Sequence, residues 1–432
     1  MLTSLYTGIS GMSANSTALA VVGDNIANLN TVGFKGSRVN FGDVLSQTIT
    51  GVAGSSQVGR GVTVNKVSAQ FSQGSFETTT SVLDLAVDGD GFFIVNNGSS
   101  NYYTRAGQFS LDKNGNVVNS DGYLLQGFMV DSSGNVLGST GNLNFSSQQS
   151  AANATTTATI SVNLDASSTV PTAAFTLDGN GDGIANDPAN YNHSTTIKVY
   201  DSLGGAHDVT LYFSKTAAGA WTVNYVHQDP ADSSLLVQAG TQSLTFGTDG
   251  SLVDDGSGTP IAFNFGASVV TPQSVAFNYG TGTGETPAGT GFDGTTQFSS
   301  SFSVTQQIQD GYGAGAVSNI SIAQDGVVTA SFTNGQSRIV GQVALARFID
   351  PGSLAKLGKN LYAETYNSGQ AIVANPGTSG TGRVLSNTLE LSNVDLAQEF
   401  VKLISAQRAF QANSRIITAT DELLQELINL KR

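Results

Sequence analysis

Three histidines, His193, His207 and His227, are the first residues to test for chemistry, because imidazole titrates near neutral pH and ligates metals. All three fall in a segment patterned as β-strand, at no metal-ligand spacing, so they read as exposed surface histidines rather than as a site. The chain has no cysteine, which removes disulfides, thiolate metal sites and cysteine nucleophiles together. The patterns HExxH, GxSxG and GxxxxGK[ST] are absent, so metalloprotease, hydrolase-elbow and P-loop chemistry lack sequence support, and a GxGxxG dinucleotide-binding turn is not expected either. An enzyme is the weakest reading of these residues.

One loop offers a cation. Asp178, Asn180 and Asp182, followed by Gly183 and then Asn186, match positions one, three, five, six and nine of a calcium loop, where oxygen ligands alternate along a tight turn. Position twelve is Ala189 instead of the bidentate glutamate, and no helices are expected on either side. The competing reading is a turn built of Asp-Gly and Asn-Gly pairs. Calcium is therefore a candidate cofactor here, and no other is indicated.

The elements that must position these residues fall into three zones. Leu5, Met12, Leu19 and Ile26 lie seven apart, with Leu2 and Ile9 on a second row and Val22 and Leu29 on a third, which predicts a striped helix over about 3–28. Gly8, Gly11 and Gly23 lie inside it, and each weakens a helix by about 1 kcal/mol relative to alanine. Leu396, Leu403, Phe410, Ile417 and Leu424 form a strict heptad row, flanked by Phe400, Ala406, Leu427 and Ile428, and predict a second helix over about 393–429. Ser392 and Asp395 supply an S-x-x-D start for it. Long, lightly charged seams at both ends suit self-assembly; a helical hairpin closing one domain is the alternative.

The middle follows another period. Asp-Gly occurs ten times and Asn-Gly four times, all between Asp88 and Gly335, and such pairs predict two-residue hairpin turns. Alternation at Ile160, Val162 and Leu164 marks one strand. Ile197 and Val199, then Val209, Leu211 and Phe213, then Trp221, Val223 and Tyr225 predict a three-stranded antiparallel meander. The fold class is mainly β with α-helical termini.

With 432 residues the chain is long enough for about three domains. Only 12% of residues are charged, yet the net charge is -14, which argues against a nucleic-acid partner. Between 147 and 305 stand thirteen acids and two lysines, so eleven of the fourteen excess negative charges belong to that segment. The first 34 residues carry a single charged side chain, Asp24. No basic region precedes an apolar one and no run of about 18 apolar residues occurs, so the expectation is no cleaved leader and no membrane insertion.

Both ends resemble the axial protein family of the bacterial flagellum, the rod and hook proteins. NIANLNTVGFK, from Asn25 to Lys35, is similar to the family's N-terminal signature, and SNVDLAQEFVKLISAQRAFQANSRIITATDELLQELINL, from Ser392 to Leu430, to its C-terminal one. LDLAVDGDGFFIV from Leu83 and YTRAGQFSLDKNG from Tyr103 match in character. Rod members typically lack a large outer insertion and hook members carry one, so the 147–305 insert favours the hook side.

The resemblance implies a nested architecture. The terminal helices form a coiled-coil-like inner domain, 1–34 with 390–432, and antiparallel β domains are threaded outward. These are a connecting region, 35–76 with 352–389, an inner β domain, 77–146 with 306–351, and the outer acidic domain, 147–305. The implied function is a homopolymer, a short flexible curved tube that acts as a universal joint between basal-body rod and filament and leaves a central export channel. Implied partners are the rod, hook-filament junction proteins, the hook cap and the type III export apparatus, with export lacking a cleaved signal peptide. Leu5, Ile9, Met12, Leu19, Ile26, Leu396, Leu403, Phe410, Ile417 and Leu424 are assigned to subunit packing, against the alternative of intramolecular core. Asn25, Asn28, Asn30, Gly33, Phe34 and Lys35 shape the signature turn. A distal rod protein with an unusual insertion, or a secreted calcium-dependent adhesion module, are the alternative functions.

Overall fold

The N-terminal stripe folds as helix α1, Leu2–Ala27, and the heptad row as helix α2, Leu396–Leu430. This computed structural model describes residues 2–44, 47–51, 54–131, 134–145, 149–177, 190–232, 235–256 and 259–430, so the Asp178 to Asn186 loop lies outside the described residues. Asp395 alone caps α2, its Oδ1 accepting from the amides of Ala397 at 2.8 Å and Gln398 at 3.1 Å. The expected S-x-x-D start is corrected, because Ser392 Oγ accepts from Val394, ahead of the helix.

The chain divides into two units, Met1–Gln148 with Ser318–Ser331 and Ser337–Arg432, and Gln149–Val317 with Phe332–Gln336. In the first, the helices pair antiparallel, with Gly8 against Ile417 and Asn25 against Glu399. A Cβ on Gly8 would sit 3.0 Å from Ile417 Cγ1, and one on Gly11 2.7 Å from Asn413 Nδ2. These two glycines, read from sequence only as weak helix formers, let the backbones approach closely. Gly23 has nothing within 4 Å of its would-be Cβ and serves no such contact.

The first unit's β layer brings early and late strands together. Phe76–Thr78 pairs with Thr388–Glu390, Leu85–Asp88 with Arg383–Ser386, and Asn101–Thr104 with Leu361–Ala363. Leu124–Val130 pairs with Ser337–Val343. Phe92, Ile94, Tyr103, Ala344, Phe348 and Tyr362 form the buried cluster beneath, with Phe92 and Phe348 meeting edge to face. The turns that end in Gly115, Gly326 and Gly335 have positive φ at that glycine, whose amide closes on the carbonyl three residues earlier. They are therefore longer than the expected two-residue turns, with the glycine supplying the left-handed position that follows a tight turn.

The second unit contains the expected meander, extended to five antiparallel strands: His193–Tyr200, Ala206–Ala217, Ala220–Gln228, Leu236–Phe246 and Leu252–Asp254. A second sheet orders Ile261–Phe263, Gln273–Asn278, Thr157–Asn163 and Ser303–Gln309, with Thr157–Asn163 and Gln273–Asn278 parallel. Ile160, Val162, Leu211, Phe213, Trp221, Tyr225, Phe263 and Phe277 share one buried core drawn from both sheets. Tyr225 OH meets Gln242 Oε1 at 2.8 Å and Tyr279 OH at 2.7 Å, so the core's phenols are paired. A GxGxxG spacing does occur at Gly289 to Gly294, but no helix follows it, so no dinucleotide turn is formed.

The histidines correct the surface expectation. His227 is 3% exposed, with Nδ1 2.7 Å from Gln228 O. His193 stacks on Phe302 at 4.7 Å, and its Nε2 lies 3.2 Å from Ser168 Oγ. His207 stacks on Phe265 at 4.1 Å and bonds Asp201 Oδ2 at 2.7 Å. Flat aromatic rings recruit imidazoles into the sheet faces, which the alternation pattern did not signal. Burial pushes the pKa of His193 and of His227 down. The unfolded imidazoles, ordinarily near about 6.5, then take up protons before the folded ones. Stability of this unit is therefore fully present above that pH and falls as pH drops below it. The urea midpoint read by Trp221, the single tryptophan, is expected to fall between pH 7 and 5.5, and to fall less in His227→Gln.

Candidate functional site

The signature turn leaves α1 through a set of side-chain clamps. Asn25, 3% exposed, treats Ser37 as a strand partner: its Oδ1 accepts from Ser37 N at 2.8 Å and its Nδ2 donates to Ser37 O at 2.9 Å. The same Nδ2 donates to Glu399 Oε2 on α2 at 3.2 Å. Asn28 Nδ2 donates back to Asp24 O at 2.9 Å, closing the helix end, whereas Asn30 is exposed. Gly33 takes φ +68, and a Cβ there would lie 2.5 Å from Ala106 N. Phe34 is buried under Lys356 Nζ, 5.3 Å from its ring centre.

Lys35 completes the turn by entering a place with no solvent. Its Nζ lies 2.6 Å from Glu390 Oε1, with both side chains 0% exposed, and also donates to Ser72 O at 2.8 Å. Arg105 Nη1 reaches Glu390 Oε2 at 3.3 Å, and Nη2 donates to Gly89 O at 2.7 Å. Gly74 N donates to Glu390 Oε1 at 2.9 Å, and Gly33 N to Glu390 O at 2.7 Å. Desolvation pulls the pKa of Lys35 and of Arg105 down, and the Glu390 carboxylate opposes it in both. Asn393 ties the same segments, accepting from Gly36 N at 2.9 Å and donating to Gln70 O at 2.8 Å.

Sequence reading found Asn25, Gly33 and Lys35 but missed Glu390, Arg105, Asn393 and Glu399. The available signal was scarcity: in a chain with 12% charged residues, a lone lysine or glutamate between apolar neighbours needs a partner. Elsewhere, Asp254, Asp255 and Glu285 cluster with their oxygens within 4.8 Å of one another. Backbone amides occupy them, since Gly256 N donates to Asp254, Tyr279 N to Asp255 and Asp255 N to Glu285.

Of the helix residues assigned to packing, Leu5, Met12, Leu19, Ile26, Leu403, Phe410, Ile417 and Leu424 are half-buried, while Ile9 and Leu396 are exposed. Large apolar side chains beside that row stand free: Tyr6 is 66% exposed, Val401 68%, and Phe400, Ile404, Ile416 and Leu423 are also exposed.

The ends match known families where these clamps lie. A family described as "Flagella basal body rod protein" matches residues 5–35, and "Flagellar basal body rod FlgEFG protein C-terminal" matches 385–430. "Flagellar hook protein FlgE/F/G D1 domain" matches 86–181, and "Flagellar basal body protein FlaE D2 domain" 163–312. The flagellar hook protein FlgE of Borreliella burgdorferi is 36% identical, the match covering 100% of each chain. That of Escherichia coli K12 is 33% identical over 98% of each, and that of Treponema pallidum 32% over 100% of each. The chain belongs to the flagellar hook protein family. As a hook-family member it is a structural subunit of the flagellum and not an enzyme, and the family implies no cofactor. Matches to hook proteins along the whole chain do not favour the distal rod or adhesion alternatives.

Gly33→Ala is expected to destabilise the first unit by at least about 1 kcal/mol, since it adds both positive-φ strain and a backbone clash. Gly23→Ala, in open space within α1, is expected to stabilise by up to about 1 kcal/mol. Urea titrations followed by far-ultraviolet circular dichroism should move in opposite directions for the two variants.

Proposed function

We propose that the chain polymerises through its helical pair into a short, flexible, curved tube that joins the basal-body rod to the filament as a universal joint, with a central channel for export. One observation carries this reading: the paired helices leave Tyr6, Ile9, Leu396, Phe400, Val401, Ile404, Ile416 and Leu423 exposed, although α1 carries only one charged residue, Asp24. Large exposed apolar side chains in this number mark a surface that another surface covers, even though α2 also carries the exposed charges Lys402, Arg408, Arg415, Asp421, Glu422 and Glu426. An open groove of about 400 Å³ beside it, walled by Ala18, Val21, Val39 and Ala406, has room for side chains from a neighbouring copy.

Subunit packing then falls on Ile9 and Leu396 of the expected set and on the exposed residues beside them. The half-buried row, Leu5, Met12, Leu19, Ile26, Leu403, Phe410, Ile417 and Leu424, holds the two helices of one copy together. A nested division supports the mechanics: 1–34 with 390–432 innermost, 35–76 with 352–389 connecting, 77–146 with 306–351 as the inner β part, and 147–305 outside. Strand pairing between early and late segments favours it. Stiff inner helices would carry torque, and outer β parts with few mutual contacts would slide as the tube bends. Rod, junction and cap proteins and the flagellum's own export apparatus are the partners this role requires. A calcium function for Asp178, Asn180, Asp182 and Asn186 has no support among the relatives.

Phe400→Asp with Ile404→Asp is expected to abolish tube formation while leaving helix content and the Trp221 unfolding transition unchanged. Leu403→Asp should also lower helix content, because that side chain sits in the intramolecular seam. Electron microscopy and sedimentation of the purified chains distinguish the two; normal tubes from the double variant would refute the packing assignment.

A further inference from the structure

We propose that Glu390 is a folding latch: the first unit closes only when this one carboxylate docks between Lys35 and Arg105. The two cations precede it in the chain by 355 and 285 residues. All of the second unit, Gln149–Val317 with Phe332–Gln336, lies between Arg105 and Glu390. The inference does not depend on the polymer reading.

The charge count at the node makes the latch one-sided. Lys35 and Glu390 are 0% exposed and Arg105 3%, so two buried cations share one buried anion. Asp90 also acts on Arg105, but from an exposed position. Removing one partner of a buried pair leaves the other charge without its compensation. Removing Glu390 strands two cations that also repel each other, whereas removing Lys35 leaves the Arg105 pair intact.

The carboxylate also holds parts of four segments. It receives Lys35 from the signature turn, Gly74 N from the strand approach, and Arg105, which in turn binds Val87 O and Gly89 O. Its own backbone carbonyl takes Gly33 N, and its strand pairs with Phe76–Thr78. Until it arrives, these segments have no anion to assemble around. The second unit has its own core and hydrogen-bonded sheets and does not use the node. The node can thus open without the second unit opening with it.

The test is hydrogen exchange on the full-length chain as monomer at neutral pH, with Trp221 emission reporting the second unit. In Glu390→Gln, amides in 33–37, 72–76, 85–89 and 104–107 should exchange together, at least about 100-fold faster than in the unsubstituted chain. The Trp221 transition should not move. Lys35→Met should raise exchange in the same peptides by a smaller factor. The triple variant Lys35→Met, Arg105→Met, Glu390→Leu, which carries no charge at the node, should regain most of the lost protection. Leu389→Ala, a buried apolar neighbour, should loosen only its own strand and partner. The latch is overturned if Lys35→Met opens these peptides as far as Glu390→Gln does, if the triple variant stays as open, or if the second unit opens as well.

Discussion

Two buried cations sharing one buried carboxylate is the arrangement on which the first unit depends. Lys35, Arg105 and Glu390 sit where water does not reach, and a charge there is tolerated only when its partner and its remaining hydrogen bonds are both present. The surrounding backbone completes the set: Ser72 O, Val87 O and Gly89 O accept, and Gly74 N donates. Arg105 Nε is left without an acceptor, so the node is not perfectly satisfied and its worth lies more in uniqueness than in raw stability.

That constraint explains why the turn after α1 is so closely specified. Gly33 is pinned between Ala106 and the Glu390 carbonyl, and Asn25 spends both ends of its amide on Ser37 while reaching Glu399. The exit of α1, the start of the strand at Ser37 and the body of α2 are thereby set relative to one another by side chains, not by a broad apolar core. The helical pair presents apolar residues outward at Tyr6, Phe400 and Val401.

The second unit is stabilised by different means. Its core is apolar and aromatic, with the phenols of Tyr225 and Tyr279 paired, and the five strands of its meander pair with their neighbours in sequence. Such a unit needs little from the rest of the chain. Its excess of acids lies on a body whose interior is already complete, which leaves the charge free to act on solubility and approach.

Much of this was legible in the residues. Heptad spacing determined both helices within a few positions, and alternation with Asp-Gly and Asn-Gly pairs determined a β middle with its meander, because those periods express local geometry. The motifs at Asn25 to Lys35 and Ser392 to Leu430 placed the chain in its family. What required the tertiary structure was every relation between distant segments: that Lys35 answers to Glu390, that Gly8 and Gly11 are contact points, that Asp395 and not Ser392 caps α2, and that His227 is buried. It also separated the half-buried heptad row from the exposed row beside it. A sequence period names the face of a helix, but which part of that face is covered depends on where a partner hundreds of residues away comes to lie.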